Sequence, residues 1–276
     1  METQNFDSAA AASEESAETG HAPVIARYAE AHLSNEYTAA QIEAPAVAPS
    51  GGDFQNAFAA ADGSVAIVVG DVTGHGPEQT AQADHMRELL TDCLDNGLSP
   101  SETLTAVNAM IEPDPNFEGF GTVFVGTLEP ETGTLTYASG GHEPALVADP
   151  AASGDEAVTE LDGTGPPVGA FPPGLARFKE KQAVVPDGGT LLVYTDGVPD
   201  ARSSADRRHT FGLERLKQVF ARLAKLRPSK LVTAIFAKVV AFCRGRFHDD
   251  VAMMAIHRRL PNSAPAVETS EPAAKP

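Results

Sequence analysis

The feature that most constrains the fold of this chain is a glycine-rich turn that carries an acidic residue directly after an apolar run. Residues 65–69 read VAIVV, which is a run of strand length, and residues 70–76 read GDVTGHG. Pro77 then opens a helical pattern. Turns at the ends of strands are where rigid scaffolds present reactive groups, so the position of Asp71 favours a functional carboxylate.

Three further acidic positions have the same context. Asp53, Asp196 and the pair Asp249 and Asp250 each border an apolar run of strand length. If these strands share a sheet, the carboxylates can meet at one end of it, where like charges disturb one another unless a cation neutralises them. Carboxylate oxygens suit Mg²⁺ or Mn²⁺, whereas zinc prefers His and Cys. Each acid alone is an ordinary turn former, but the four positions together favour a metal site.

The remaining pattern predicts an α+β domain. Residues 122–128 and 134–137 are predicted to form a hairpin through the turn at 131–133. Residues 99–102 read SPSE, a capping box that begins a helix. Helical spacing of apolar residues also predicts a helix after Pro77 and two late helices, the first opened at residues 211–213 and separated from the second by Pro228.

Five short motifs in a fixed order give the chain its family resemblance. The chain resembles the SpoIIE/RsbU-like branch of the PPM-type (protein phosphatase 2C-like) serine/threonine phosphatases, from about residue 44 to residue 258. The resemblance implies a four-layer α-β-β-α sandwich of two mainly antiparallel sheets flanked by helices. It also implies two Mn²⁺ or Mg²⁺ ions. The motifs are residues 51–54 (GGDF), 70–76 (GDVTGHG), 140–144 (GGHEP), 194–197 (YTDG) and 248–251 (HDDV).

The resemblance also implies a role for each acid. Asp71 is expected to bridge both metals, and the backbone carbonyl of Val72 to bind one of them. Asp53 would serve the second metal, directly or through water. Asp196 and Asp249 would complete the shell of the first metal. A metal-activated water would then hydrolyse the phosphate ester, with no covalent phosphoenzyme.

Alternatives stay open at the Asp249–Asp250 pair and at His75. Asp250 replaces Asp249 as a ligand if the register at this pair is shifted by one residue. His75 either donates a proton to the leaving serine oxygen or braces its turn. His142 is expected to pack or hydrogen-bond locally, and His248 to support the ligands from behind.

One residue departs from the family pattern. This branch commonly carries a second acid three residues after the first motif's Asp, and this chain has Asn56 there. An asparagine oxygen can still meet a metal or its water, but the loss of one charge weakens metal affinity. The alternative function is therefore a catalytically weak or inactive pseudophosphatase that acts as a regulatory binding module.

The resemblance implies a substrate class as well. We expect phosphoserine or phosphothreonine on a STAS-type anti-sigma-factor antagonist, within a bacterial partner-switching pathway. The substrate-binding residues are not assigned. A basic cluster borders the expected mouth of the site and is either a substrate contact or a solvated loop, its members being Arg202, Arg207 and Arg208.

Composition limits the remaining possibilities. A formal net charge of −18 disfavours nucleic acid or an anionic membrane as a partner. No apolar run approaches the ~20 residues that span a bilayer. With two cysteines in helical patterns and no signal-peptide pattern, the chain is expected to be cytoplasmic. The expected organisation is a disordered acidic tail (1–22), a helical lead-in (23–43), the phosphatase domain (44–259) and a disordered Pro/Ala-rich tail (260–276).

Overall fold

The computed structural model describes residues 26–45, 51–74, 76–115 and 117–260. Its eleven strands are β1 (Arg27–His32), β2 (Tyr37–Ala44), β3 (Asp53–Ala59), β4 (Val65–Val72), β5 (Gly121–Leu128), β6 (Thr134–Gly140), β7 (Ala145–Ala148), β8 (Val158–Leu161), β9 (Lys181–Val184), β10 (Thr190–Tyr194) and β11 (Val251–Arg258). The helices are α1 (Pro77–Asp95), α2 (Pro100–Ile111), α3 (Leu213–Leu223) and α4 (Pro228–Cys243), with a short 3-10 turn at Gly154–Ala157.

These elements form two sheets that pack face to face. One sheet has the strand order β1-β2-β11-β10-β7-β8 and the other the order β3-β4-β5-β6-β9, and neighbouring strands in both are antiparallel. Helices α1 and α2 cover the five-stranded sheet, and α3 and α4 cover the six-stranded sheet. The predicted α-β-β-α sandwich is confirmed.

Three apolar cores separate the four layers. The core between the sheets includes Ile67, Phe124 and Val193, while Met86 and Leu104 pack between α1, α2 and their sheet. A third core lies under α3 and α4. Alternate residues of β4 enter different cores, because successive side chains of a strand point to opposite faces. This alternation decides on which face of the sheet the side chain of Asp71 lies.

The predicted helices and hairpin are confirmed. The capping box of α2 is formed, with the Ser99 backbone N–H donating to Glu102 Oε2 at 3.0 Å. The hairpin of β5 and β6 closes through Gly133, which has a φ of +73° that favours glycine. Cys93 and Cys243 lie in α1 and α4 as free thiols.

The prediction of a helical lead-in over residues 23–43 is wrong. Residues 27–32 form β1 and residues 37–44 form β2, which pairs with β11 along its whole length. Alanine and glutamate give this stretch some helical propensity, but burial of alternate β2 side chains in the sheet outweighs it. The folded unit therefore begins before the predicted boundary at residue 44.

The predicted tails are at the two ends of the chain. Residues 1–25 and 261–276 lie outside the described residues, so the expectation of disordered tails stays a prediction. Across the residues the structure does describe, helices fall short of the length and apolar character needed to cross a membrane.

Candidate metal centre

Two of the predicted acids face each other across neighbouring strands. Asp53 is the first residue of β3, and its register partner on β4 is Asp71. Asp71 continues the alternation of Ile67 and Val69, which point into the core between the sheets. Both carboxylates therefore lie on the inner face of the five-stranded sheet, at the end where β3 begins and β4 stops.

The other acids lie at the matching end of the second sheet. Asp196 follows the end of β10, and Asp249 and Asp250 directly precede β11, which is antiparallel to it. A buried threonine joins the two ends, because Thr195 Oγ1 donates to Asp53 Oδ2 at 2.7 Å. The condition considered from the sequence, that these strands share one sheet, is not met, because β3 and β4 belong to one sheet and β10 and β11 to the other. The acids approach one another across the two sheets, and the charges of Asp196 and Asp249 act on Asp71.

The two members of the acidic pair have different surroundings. Asp250 is buried, and its Oδ2 accepts the backbone N–H of Gly52 at 3.1 Å. Asp249 is exposed, and its Oδ1 accepts the backbone N–H of Asp250 at 3.0 Å. Asp250 thus ties the turn before β3 to the start of β11, while Asp249 faces the open side of the edge.

Glycine allows the backbone to approach this cluster closely. A Cβ on Gly52 would lie 2.2 Å from the Val72 carbonyl oxygen and 2.8 Å from Asp71 Oδ1. The Val72 N–H also donates to the Gly52 carbonyl at 3.0 Å. The Val72 carbonyl therefore lies beside the Asp71 carboxylate, as a backbone ligand implied by the family resemblance would.

The carboxylates disturb one another's protonation. Burial and the charge of Asp196 raise the pKa of Asp71 to about 7, and burial and Asp249 raise the pKa of Asp196 to about 6. Burial and Asp71 raise the pKa of Asp53 well above its usual range, against the hydrogen bond from Thr195. Each pKa rises because the carboxylates are buried and repel one another, and a cation between them would relieve that repulsion.

Two more acids lie close to the cluster and were missed by the sequence reasoning. Glu143 and Asp200 both raise the pKa of Asp196, and burial raises the pKa of Glu143 itself. Asp200 follows Asp196 by four residues, and this spacing could have indicated that the two acids share one turn. In the structure the Asp200 N–H donates to the Asp196 carbonyl at 2.8 Å. Glu143 lies in the motif at residues 140–144 (GGHEP), which carries part of the family resemblance, but it was given no role from the sequence.

His142 is buried beside β5, the strand that pairs with β4 at Asp71. Its Nδ1 is 3.0 Å from the hydroxyl of Thr122, which is the β5 register partner of Asp71. Burial lowers the pKa of His142 to about 4. The ring is therefore neutral near pH 7, in agreement with the predicted local packing role.

This burial predicts a loss of stability in mild acid. The pKa of His142 is about 4 in the folded chain, against 6.5 for a solvated histidine of the unfolded chain. As the pH falls from 6.5 to 4, the unfolded state takes up the proton first, so about 3 kcal/mol of stability is lost in that window. The carboxyl groups of Asp71 and Asp196, whose pKa values are raised, bind protons first in the folded chain and therefore act in the opposite direction over the same pH range. The contribution of His142 is the difference between two proteins: between pH 7.5 and pH 4.5, the change in stability measured by urea unfolding should be roughly 2–3 kcal/mol less favourable in the wild type than in His142→Gln. Equal changes in both would contradict the assignment.

The other histidines are placed differently. His75 lies outside the described residues, so its role as proton donor or brace stays a prediction. His248 is exposed, and its Nε2 contacts the guanidinium of Arg207. This contact brings the basic loop to the residue next to Asp249.

The structure moves Asn56 away from the carboxylates. Its neighbours Phe54 and Phe58, on the same face of β3, pack in the core under α1 and α2. The Asn56 amide donates to Thr91 Oγ1 of α1 at 3.3 Å. The expectation that Asn56 meets a metal or its water is therefore wrong, since the side chain points to the opposite face of the sheet from Asp53.

The donor set fits a hard divalent cation in its chemistry. It consists of carboxylate oxygens and a backbone carbonyl, and the mutual rise in pKa is the effect that a cation would relieve. In the conformation of the described residues, no three His, Cys, Asp or Glu side chains are grouped so as to hold a metal ion. Binding therefore requires rotation of these side chains toward a shared ion.

Solved structures with the same fold define the class of the protein. The RsbU and RsbW domains of Rv1364c from Mycobacterium tuberculosis match with a TM-score of 0.66 at 26% identity, over 88% of this chain and 62% of that chain. The SiaA-PP2C domain of Pseudomonas aeruginosa matches with a TM-score of 0.68 at 17% identity, over 81% and 86%. RsbX in complex with magnesium matches with a TM-score of 0.59 at 15% identity, over 82% and 98%. The fold is that of the PP2C-like phosphatases.

The sequence comparison narrows the class to a family. The model of the family described as stage II sporulation protein E (SpoIIE) matches residues 61–259, and the chain belongs to that family. It is similar to protein IcfG of Synechocystis sp. (27% identity, 75% of this chain and 36% of the relative). It is also similar to phosphoserine phosphatase RsbU of Bacillus subtilis (22% identity, 71% and 56%). The chain thus spans between about a third and somewhat over half of these relatives.

Proposed function

We propose that this chain is a metal-dependent phosphoprotein phosphatase that hydrolyses phosphoserine or phosphothreonine. The observation that carries the proposal is the meeting of Asp53, Asp71, Asp196 and Asp249 where the ends of both sheets come together. Membership of the SpoIIE family and the phosphoserine phosphatase name of RsbU support the same reaction.

The proposed ligand set is the one that the family resemblance implies, and the placement of its members at the two sheet ends supports it. Asp71 and the Val72 carbonyl would hold a metal from β4, Asp53 from β3, and Asp196 and Asp249 from the second sheet. We assign Asp250 to the turn that it ties to Gly52, and not to the metal. Two Mn²⁺ or Mg²⁺ ions held there would neutralise phosphoryl oxygens and lower the pKa of the attacking water.

The protein's own residues prepare this site. The Thr195 hydroxyl, which also accepts the Ala252 N–H at 2.9 Å, fixes the Asp53 carboxylate across the gap between the sheets. Apolar packing behind the edge holds the strands in register, so the carboxylates cannot separate to relieve their repulsion. The finer proposal for the substrate is a phosphorylated STAS-type anti-sigma-factor antagonist of a partner-switching pathway.

The test uses phosphorylated STAS-domain proteins from the same organism. The purified chain should release phosphate from one of them with Mn²⁺ or Mg²⁺, stop in excess chelator, and recover when metal is restored. Metal should also raise the melting temperature, because it binds only the folded chain. Phosphate release that continues undiminished in excess chelator would contradict the metal-dependent mechanism. A chain that binds metal and phosphoprotein without turnover would instead be a regulatory binding module. The only support for that alternative in the sequence was Asn56, and its side chain contacts Thr91 and not the carboxylates.

A further inference from the structure

The basic segment at residues 202–210, here called the arm, connects the turn after Asp196 to α3. It carries three arginines and one aspartate in a chain whose formal net charge is −18. Its side chains are mostly exposed, including Arg202, Arg207 and Arg208. Lys181, by contrast, lies on the edge strand β9 and pairs with Asp162 at 2.8 Å.

Backbone hydrogen bonds hold the arm in a defined shape. Arg202 and Thr210 form a bridge, and the Ser203 N–H donates to the His209 carbonyl at 2.8 Å. The Ser204 N–H donates to the carbonyl of Phe242 in α4 at 3.3 Å. Buried Phe211 anchors the base of the arm against the same Phe242 ring. The arm is therefore an ordered loop that is held against the sandwich.

Arg207 is directed by this shape to the rim of the carboxylate edge. Its Nη2 donates to His248 Nε2, since a guanidinium has no acceptor. His248 is followed by the exposed Asp249, which contributes to the raised pKa of Asp71. A long arginine side chain loses conformational entropy when it binds a partner. Because the contact with His248 already orders Arg207, less entropy is lost when a partner binds.

We infer that the arm is a docking surface for acidic residues that flank the phosphorylated residue of a protein substrate. The inference rests on the proposed function and adds the charge preference of the substrate. Negative charge dominates the rest of the chain and repels an acidic protein, so a fixed positive projection at the rim gives such a substrate a favourable approach. Arg207 lies outside the carboxylate edge, so it meets the flanking residues and not the transferred phosphoryl group.

The experiment compares two phosphoserine peptides of equal length with p-nitrophenyl phosphate, all with Mn²⁺. One peptide has Asp and Glu on both sides of the phosphoserine, and the other has Lys there. The wild type should prefer the acidic peptide. Arg207→Ala should lower kcat/KM for that peptide roughly three- to fivefold, through KM, as expected for loss of a rim ion pair. The loss on p-nitrophenyl phosphate should be clearly smaller, and Arg207→Lys should fall between the wild type and Arg207→Ala.

The matched control is Arg222→Ala. Arg222 is also exposed but lies nine residues into α3, about 14 Å along the helix axis from its start. This variant should match the wild type on all three substrates. Equal losses for Arg207→Ala on the acidic peptide and on p-nitrophenyl phosphate, or no loss at all, would overturn the inference.

Failure of the proposed function gives a different result. In that case no substrate turns over with any variant. Fluorescence anisotropy with the same labelled peptides then decides the matter, since the arm predicts tighter binding of the acidic peptide and a weaker complex with Arg207→Ala. Equal affinity of wild type and Arg207→Ala for the acidic peptide would reject the arm as a docking surface.

Discussion

Replacement of Asp71 by alanine should lower metal-dependent phosphate release by roughly 10³-fold or more. Asp71 is the one acid that faces Asp53 within its sheet and feels the charges of Asp196, Asp249 and Asp250 from the other sheet. Cations in such sites stabilise the transition state by several kcal/mol, and about 1.4 kcal/mol corresponds to a factor of ten in rate. Steady-state kinetics on a phosphoserine peptide with Mn²⁺ measures the loss.

Folding of this variant should be intact, which separates lost chemistry from lost structure. Removal of Asp71 relieves the repulsion that raises the pKa of Asp53, so the metal-free variant should unfold at the same urea concentration as the wild type or a higher one. Asp95→Ala is the control, because Asp95 is exposed at the far end of α1. Full activity in Asp71→Ala, or an equal loss in Asp95→Ala, would reject the role of Asp71.

Replacement of Gly197 by alanine should have the largest effect on stability. A Cβ at this position would lie 1.7 Å from the backbone oxygen of Asp250 and 2.8 Å from its carbonyl carbon. Because the obstacle is backbone, the turn before β11 has to move away from Asp196, and overpacking of this kind costs about 3 kcal/mol or more. Urea unfolding should show the change as a lower midpoint with an unchanged slope.

The control for this substitution is Gly163→Ala. A Cβ on Gly163 would meet no atom within 4 Å, and the backbone there does not require glycine. Its stability should lie within about 0.5 kcal/mol of the wild type, as for most surface substitutions. If Gly197→Ala were equally stable, the close approach of the two acidic turns would be wrong.

The placement of the acids near one another was predictable because each acid lies beside an apolar run that sets a strand end. Asp53, Asp71, Asp196 and the pair before β11 needed only the assumption that these ends meet, which the register between Asp53 and Asp71 supports. Local patterns likewise predicted α1, α2 and the β5–β6 hairpin, since caps and turn glycines act within a few residues.

Features set by distant contacts could not be predicted. Residues 27–32 look helical by composition and become a strand only because β2 offers a partner and pairs in turn with β11. Asn56 was placed near the metals by its closeness in sequence to Asp53, but strand alternation turns it toward Thr91. Glu143 lies in the motif at residues 140–144, but its approach to Asp196 depends on the packing of the two sheets, which the motif alone does not give.

Crystals grown with MnCl₂ and measured at the manganese absorption edge give the most direct test of the metal centre. The account predicts two anomalous peaks between the ends of the two sheets, roughly 3.5–4 Å apart, with Asp71 in contact with both. It also predicts that Asp53, Asp196 and Asp249 turn toward the peaks while Asp250 stays on the Gly52 N–H. Anomalous density elsewhere on the chain, with none at Asp71, would contradict it.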